Sequence, residues 1–203
     1  AYKEGNADFH DIVAQMAQIP RSQAKVINLG LFYGMGKAKL QAELGVSKEK
    51  AEDLFSTYHS RVPFVKQLMN AVSQRAQHRG QIRTLLGRLC RYHLWEPNYF
   101  GIHKALPHEQ AILEHGPGIK RAFTYKSLNK LIQGSAADMT KKCMLELYKV
   151  GIIPHIQIHD ELDISVKNDK EAKYIIEIME SAVELDIPNK VDYEAGDNWG
   201  EIH

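Results

Sequence analysis

One segment of the chain has the residue types and spacing of an anion-binding helix. Residues 21–34 run Arg-Ser-Gln-Ala-Lys-Val-Ile-Asn-Leu-Gly-Leu-Phe-Tyr-Gly, so that Arg21, Lys25, Leu29 and Tyr33 recur every four residues. At about 3.6 residues per turn, this spacing places the four side chains along one side of a helix. Two cations near a helix N-terminus oppose the helix dipole, so an anionic ligand such as a triphosphate explains them better than helix stability does. The apolar and aromatic side chains that follow suit a sugar and a base.

A second segment places carboxylates at the predicted tip of a strand–turn–strand. Asp160 and Glu161 follow His159 between the apolar segments 156–158 and 162–166. Adjacent carboxylates repel one another, and a divalent cation with oxygen ligands relieves that repulsion. Oxygen ligands without cysteine favour Mg²⁺ or Mn²⁺ over zinc. For this turn, the alternative is an exposed acidic turn that binds no metal. For the helix over residues 21–34, the alternative is a solvated pair of cations beside ordinary core residues.

Charge is distributed unevenly along the chain. The 203 residues are 44% hydrophobic and carry a formal net charge of +1, which excludes a disordered chain or a highly charged tail. Residues 61–130, however, carry 12 basic and three acidic side chains, a net charge of +9, with aromatic residues between them. Residues 131–203 carry a net charge of −8. A basic, aromatic stretch is typical of contact with a polyanion, and a solvated charged face is the alternative.

The cysteine and hydropathy patterns predict a cytoplasmic protein with no membrane partner. No apolar run reaches the roughly 18 residues of a membrane-spanning helix, and the first 20 residues lack the order of a signal peptide. Cys90 and Cys143 form no close-spaced motif and are predicted to be reduced thiols. The spacing of His103, His108 and His115 is too loose to indicate a zinc site.

Hydrophobic periodicity and capping residues predict an α+β fold, with a mostly helical first part and a smaller second part that contains antiparallel strands. The predicted helices cover 8–18, 20–34, 37–44, 48–61, 64–79, 119–150 and 170–185. The predicted strands cover 81–84, 89–93, 156–158, 162–166 and 191–193, and residues 95–118 are expected to be mostly loop.

The helix pattern Arg21-x3-Lys25-x7-Tyr33-Gly strongly resembles the fingers motif of family A (Pol I-like) DNA polymerases. The resemblance implies that Arg21 and Lys25 bind the phosphates of an incoming dNTP, Lys25 with a catalytic role, and that Tyr33 borders the templating base pair. Asp8-Phe9-His10 resembles the family's upstream histidine segment, which adds His10 as a phosphate ligand. Leu29 stands where the family usually has Phe or Tyr against the sugar, as in some phage members, and is expected to alter sugar discrimination.

His159-Asp160-Glu161 resembles the palm motif of the same family. The resemblance implies a two-metal Mg²⁺ site in which Asp160 and Glu161 are both catalytic residues and metal ligands, with Asp160 bound to both metals and Glu161 supporting the site. His159 is then expected near the primer terminus.

Two further segments resemble the family's DNA-contacting parts: Thr84-Leu-Leu-Gly-Arg88 its hairpin, and the segment from Tyr125 to Asp138 its palm helix. The family more often has Arg where Tyr125 stands, so Lys126 is expected to substitute for it. The implied DNA-binding residues are Arg83, Arg88, Arg91, Lys126, Asn129, Gln133 and His159.

The resemblance implies two domains and one function. Residues 1–80 are expected to form the fingers helices, including the nucleotide-binding helix 20–34, and residues 81–203 a C-terminal palm with the hairpin, the long helix and the His-Asp-Glu turn. The implied function is template-directed DNA synthesis, that is, nucleotidyl transfer from a dNTP to the 3′-OH of primer-template DNA.

The family's first palm motif, an Asp-Tyr-Ser-like strand with the other metal-binding aspartate, is expected upstream of Ala1. We therefore expect a phage-like C-terminal fragment that is inactive until an upstream polymerase fragment completes it. The alternatives are a single-subunit RNA polymerase-like nucleotidyltransferase and a non-catalytic DNA-binding remnant; Glu161 directly after His-Asp favours DNA synthesis.

Overall fold

The computed structural model describes residues 10–11, 14–15, 19–33 and 35–201. The predicted helix over 8–18 lies largely outside the described residues, as do the end of the predicted second helix at residue 34 and the C-terminal His203. Two compact units follow from the contacts within the chain, one within residues 7–134 and one within residues 135–203. The division into fingers and palm at residue 80 stays a prediction.

The first unit begins with helices that confirm the predicted ones to within about two residues. They are α1 (Arg21–Phe32), α2 (Lys37–Leu44), α3 (Lys48–Arg61) and α4 (Pro63–Arg79). Ser47 caps α3, since its Oγ accepts a hydrogen bond of 3.2 Å from the backbone N–H of Lys50. Pro63 is the first residue of α4. Proline is tolerated there because the first N–H groups of a helix have no acceptor within the helix.

Burial of apolar side chains holds the helices together. The buried members of this core, drawn from α1 to α4 and the junction between α3 and α4, are Ala24, Ile27, Leu31, Leu40, Leu54, Tyr58, Val62 and Val65. Removing their apolar surface from water is the main favourable contribution to the free energy of folding, at about 25 cal/mol per Å² of buried surface.

A β-hairpin follows α4, as predicted, with β1 (Gln81–Arg83) antiparallel to β2 (Leu89–Arg91). Gly80 ends α4 with a φ of 65°, a left-handed conformation that favours glycine. Together with Val72 and Ala76 of α4, the hairpin residue Ile82 belongs to a second core cluster that includes Tyr92 and Leu128.

The prediction that residues 95–118 are mostly loop is wrong. They contain most of β3 (Leu94–Pro97), all of β4 (Leu106–Pro107) and α5 (His108–His115), and β3 pairs antiparallel with both β4 and β5 (Ile119–Arg121). Prolines at the end of β3 and β4 hid these short strands, because proline cannot donate to a ladder and weakens the strand pattern. The Arg121 guanidinium, 4.5 Å from the ring centroid of Trp95, further joins β5 to β3.

The long helix α6 (Ser127–Lys149) begins eight residues later than predicted. Strand β5 and a 3-10 turn, Thr124–Lys126, occupy the preceding stretch. Phe123 has a φ of 62°, which ends any regular helix before that turn. The helical periodicity of the sequence therefore gave a wrong prediction for residues 119–121, which form a strand because they pair with β3.

The unit within residues 135–203 holds the second part of α6, the hairpin of β6 (Ile156–Ile158) and β7 (Glu161–Asp163), and α7 (Asp169–Ser181). Asn168 caps α7, as its Oδ1 accepts a 3.0 Å hydrogen bond from the N–H of Glu171. The predicted strand over 191–193 is wrong: the Val191 N–H donates to Glu180 Oε1 at 3.0 Å instead of to a neighbouring strand. Within the described part of the chain, no helix has both the length and the apolarity needed to span a membrane.

Leu31→Ala is expected to lower the free energy of unfolding by about 2–5 kcal/mol, because Leu31 is 1% exposed and its loss leaves a cavity. The matched control is Leu113→Ala on α5, where the side chain is 86% exposed; a change within about 0.5 kcal/mol is expected there. Urea titrations followed by circular dichroism measure both. Equal losses for the two variants would contradict the assigned core.

The free energy of unfolding is expected to fall as the pH drops below about 6.5, the ordinary histidine pKa. Burial, and secondarily the charge of Lys66, lowers the pKa of His59, whose ring packs 4.4 Å from that of Phe55. The folded chain then binds fewer protons at this site than the unfolded chain, so this contribution to stability is present above pH 6.5 and lost below it. His59→Phe should flatten the pH dependence of urea unfolding, and the same change at exposed His93 should not.

Candidate nucleotide and nucleic-acid site

Helix α1 presents the predicted stripe on its open side. Arg21, Lys25 and Leu29 are exposed, with Leu29 at 47%, and Tyr33 directly after the helix is half-buried. The opposite side, including Ile27 and Leu31, is buried in the helical core. The spacing is confirmed for Arg21, Lys25 and Leu29, which lie on one accessible face of α1, while Tyr33 is the C-cap residue that follows the helix. An anion and a flat organic group can therefore approach α1 without unfolding it.

The segment before α1 contacts the same helix at two adjacent residues. The Asp11 carboxylate lies 2.9 Å from Arg21 Nε, and His10 Nδ1 lies 3.1 Å from Asn28 Nδ2. The structure thus brings two predicted phosphate ligands, His10 and Arg21, to one helix. Asp11 and Asn28 were missed from the sequence; the available signal was a polar residue at a helix position that periodicity assigns to the buried side.

A hydrogen bond joins two predicted site residues that are far apart in sequence. Gln133 Nε2 on α6 donates to the Tyr33 hydroxyl at 2.6 Å. Gln133 was predicted to contact DNA and Tyr33 to border the templating base pair, so the structure places the two sets of residues side by side. Asn129, one turn earlier on α6, is exposed.

The hairpin arginines differ in what they contact. Arg88 Nη2 donates to the backbone carbonyl of Gly134 at 2.7 Å, and Arg83 Nη1 donates to the carbonyl of Gly87 at 3.0 Å. Arg91 on β2 is exposed. A Cβ on Gly134 would lie 2.8 Å from Thr84 Cγ2, so the hairpin rests directly on α6 at this glycine. Arg88 therefore attaches the hairpin to α6, in addition to any contact with a ligand.

Lys126 lies among aromatic rings at the start of α6. Its Nζ is 5.3 Å from the ring centroid of Phe123 and 5.5 Å from that of Tyr125. The Tyr125 side chain is 65% exposed. A cation held over accessible aromatic rings suits a phosphate beside a base or sugar.

The carboxylate turn forms as a two-residue connection between β6 and β7, in which Ile158 pairs with Glu161. His159 has a φ of 51°, a left-handed conformation that costs a non-glycine residue about 1 kcal/mol. Gln157 Nε2 donates to the His159 carbonyl at 2.5 Å and holds this turn. The side chains of His159, Asp160 and Glu161 are all exposed at its tip.

These side chains fit a divalent cation in part. Two exposed carboxylates are hard oxygen donors of the kind that Mg²⁺ prefers. Within the described ranges, no group of three or more His, Cys, Asp or Glu side chains is placed to hold a metal ion. Asp160 and Glu161 therefore supply part of a ligand set.

The clefts of the second unit lie elsewhere. A shallow cleft of about 590 Å³ runs along the end of α7, lined by residues such as Glu180, Val183 and Ile187. None of the predicted site residues lines it, and its walls carry no basic side chain for a phosphate.

The chain thus carries a helix face with two cations, a hairpin with three arginines and a turn with two exposed carboxylates. The family model for DNA polymerase family A matches residues 1–201, and the chain belongs to that family. The resemblance of the sequence motifs to this family is thereby confirmed.

Known relatives agree with the family. The chain is 34% identical to a DNA-directed DNA polymerase of Pseudomonas phage M6, over 96% of this chain and 31% of that protein. It is 30% identical to DNA polymerase I of Geobacillus stearothermophilus, over 93% of this chain and 20% of that protein. The chain thus spans about a third or less of the length of these curated relatives.

A solved structure is similar in fold. It is the POL domain of Pol1 from M. smegmatis in complex with DNA primer-template and dNTP, with a TM-score of 0.71 and 27% sequence identity. The match covers 93% of this chain and 33% of that one.

Lys25→Ala is expected to weaken the binding of inorganic tripolyphosphate about tenfold or more, because a hydrogen bond to a charged group contributes about 1.5–3 kcal/mol. Isothermal titration calorimetry on the 203-residue chain measures it. The matched control is Lys39→Ala, which removes an exposed lysine of α2 from the same unit. Equal weakening by the two substitutions would show that binding follows net charge alone and not the α1 stripe.

Proposed function

We propose that this chain takes part in template-directed DNA synthesis, as the part of a family A polymerase that binds the incoming dNTP and the nascent base pair. The observation that carries the proposal is the accessible α1 face with Arg21, Lys25, Leu29 and Tyr33, joined to α6 through the bond from Gln133 to Tyr33. Family membership and the relatives named as DNA polymerases support it.

In this proposal the α1 stripe receives the dNTP from its phosphates to its base. Arg21 and Lys25, with His10 beside them, bind the triphosphate, and Lys25 balances the charge that develops as the leaving pyrophosphate separates. Leu29 packs on the sugar, and Tyr33 lies against the base pair. The branched aliphatic side chain of Leu29 offers less surface than an aromatic ring, so it grips the sugar less closely.

The exposed carboxylates of Asp160 and Glu161 would hold Mg²⁺, which when bound activates the primer 3′-OH and stabilises the leaving group. Two adjacent carboxylates leave most of the metal coordination to other groups. We propose that a further aspartate comes from a polymerase segment outside these 203 residues. His159 lies next to Asp160 in the same turn and is proposed to contact the primer terminus.

The proposed contacts with primer-template DNA lie on the hairpin and the start of α6. Contacts with the phosphates position the duplex without reading its sequence. We propose that these contacts are made by Arg83, Arg88, Arg91 and Lys126. Asn129 and Gln133, four residues apart on α6, are proposed to reach base edges in the minor groove. The Gln133 amide has a second N–H besides the one it donates to Tyr33, so the same side chain can bind a base edge and Tyr33 and thereby couple DNA binding to the position of Tyr33. With these substrates the proposed activity lies in the cytoplasm, that of the host cell for a phage-encoded protein.

The test uses a chimera in which this chain replaces the corresponding segment of the phage M6 polymerase. We expect Mg²⁺-dependent primer extension with dNTPs. Asp160→Asn in the chimera should lower the extension rate at least about a hundredfold, as is usual when one group that stabilises transition-state charge is lost, and should leave DNA binding nearly unchanged. Asp186→Asn, a matched change at another exposed aspartate of the same unit, should keep the rate.

Other outcomes separate the alternatives. Extension with rNTPs in preference to dNTPs would indicate an RNA polymerase-like enzyme. Salt-dependent, metal-independent DNA binding without extension by the chimera would indicate a non-catalytic DNA-binding protein. Robust extension by the 203-residue chain alone would contradict the need for a further aspartate, and an Asp160→Asn chimera that keeps most of its rate would contradict the metal assignment.

A further inference from the structure

Asn28 is a polar side chain on the buried side of α1. It is 2% exposed, and it lies one turn from Ala24 and Leu31, which are also buried. Burying an amide costs free energy unless it forms hydrogen bonds, so a buried asparagine among apolar residues needs a particular partner. One such partner is His10, whose Nδ1 lies 3.1 Å from Asn28 Nδ2.

The direction of this hydrogen bond follows from the chemistry of the two groups. An amide nitrogen carries two hydrogens and can only donate, so Nδ1 of His10 must accept. A neutral imidazole that accepts at Nδ1 carries its hydrogen on Nε2. The contact therefore selects one of the two tautomers of the His10 ring.

The selected tautomer is the one that binds an anion. A ring with its hydrogen on Nε2 donates to a phosphate oxygen through that atom, whereas the opposite tautomer presents a lone pair to the same oxygen and repels it. The ring is also held against the helix that carries the cations, since the neighbouring Asp11 is paired with Arg21 at 2.9 Å.

We infer that Asn28 is a positioning residue that holds His10 in the Nε2–H tautomer and so makes it a hydrogen-bond donor to the triphosphate of the nucleotide. The choice of ligand rests on the proposed function, while the tautomer is a property of the chain by itself. Asn28 acts through His10 and does not touch the ligand.

The test records long-range ¹H–¹⁵N correlation spectra of the 203-residue chain, labelled with ¹⁵N-histidine, at pH 8. The His10 signals are assigned by their loss in His10→Gln. We expect Nδ1 of His10 to have the shift of an unprotonated nitrogen and Nε2 that of a protonated one. In Asn28→Asp the carboxylate accepts instead of donating, and the hydrogen should move to Nδ1.

Two further variants separate positioning from folding. Asn28→Leu has a similar volume without a donor, and should give a mixture of the two tautomers while the helix remains folded. Asn70→Asp changes an exposed asparagine of α4 in the same unit and should leave the His10 spectrum unchanged. Circular dichroism of each variant reports whether the chain is folded.

Affinity for inorganic tripolyphosphate supplies the second readout. Asn28→Asp and Asn28→Leu should each weaken binding about tenfold. In a His10→Gln background Asn28→Leu, which adds no charge, should have no further effect, because coupled residues are not additive. The inference is overturned if wild-type His10 carries its hydrogen on Nδ1, if both Asn28 variants keep the wild-type tautomer, or if the tautomer changes without any change in tripolyphosphate affinity.

The two proposals fail separately. If the phage chimera does not extend primers but the tautomer and affinity results hold, the proposed function is wrong and the role of Asn28 stands. If the chimera extends primers but the tautomer does not depend on Asn28, the proposed function stands and the role of Asn28 is wrong.

Discussion

The burial of one side of α1 is the constraint on which the site depends. Ala24, Ile27 and Leu31 are each at most 1% exposed, and rotating the helix to hide the stripe would return these side chains to water. Burying a single large aliphatic side chain contributes about 1.5–3 kcal/mol, so the two large residues alone hold the rotation of the helix firmly. Because side-chain directions on a helix are set by the backbone, Arg21, Lys25 and Leu29 must then face outward. The exposed face that we propose to bind the nucleotide therefore depends on the core beneath it.

The same burial organises the contacts around the stripe. Asn28 sits at the edge of the buried side, where it meets His10, and Tyr33 sits directly after the helix, where it meets Gln133. Each end of the stripe also contacts a segment other than α1, since Arg21 is paired with Asp11 and Tyr33 with Gln133. A nucleotide on this helix would be surrounded by groups whose positions are set by different parts of the chain, so its binding would report on all of them together.

The sequence predicted the elements that local signals determine. Caps and breakers such as Ser47, Pro63 and Gly80 marked the helix ends, and the four-residue spacing within 21–33 predicted which side chains share a face. The short strands β3 and β4 were missed, because their existence depends on pairings such as Trp95 with Arg121, 26 residues away. Residues that pair at such a distance leave no periodic signal in a strand of two to four residues.

The candidate site shows the same division. The membership of the stripe followed from helical geometry, but the contacts of Asn28 with His10 and of Tyr33 with Gln133 join residues 18 and 100 positions apart. Such contacts are decided by packing, and a single sequence carries no record of them. The strand expected at 191–193 failed for a related reason, since the Glu180 side chain took the place of a neighbouring strand as hydrogen-bond acceptor.

Gly134 has a consequence for how α6 opens and closes. A glycine in the interior of a helix weakens it by about 1 kcal/mol relative to alanine, yet the approach of Thr84 leaves no room for a larger side chain there. The helix is therefore locally less stable where the hairpin contacts it. The hydrogen bond from the Arg88 guanidinium to the Gly134 carbonyl offsets this lower stability. Amide hydrogens around Gly134 should consequently exchange with solvent at a rate governed by detachment of the β1–β2 hairpin. We therefore expect opening of α6 at Gly134 and detachment of the β1–β2 hairpin to occur together.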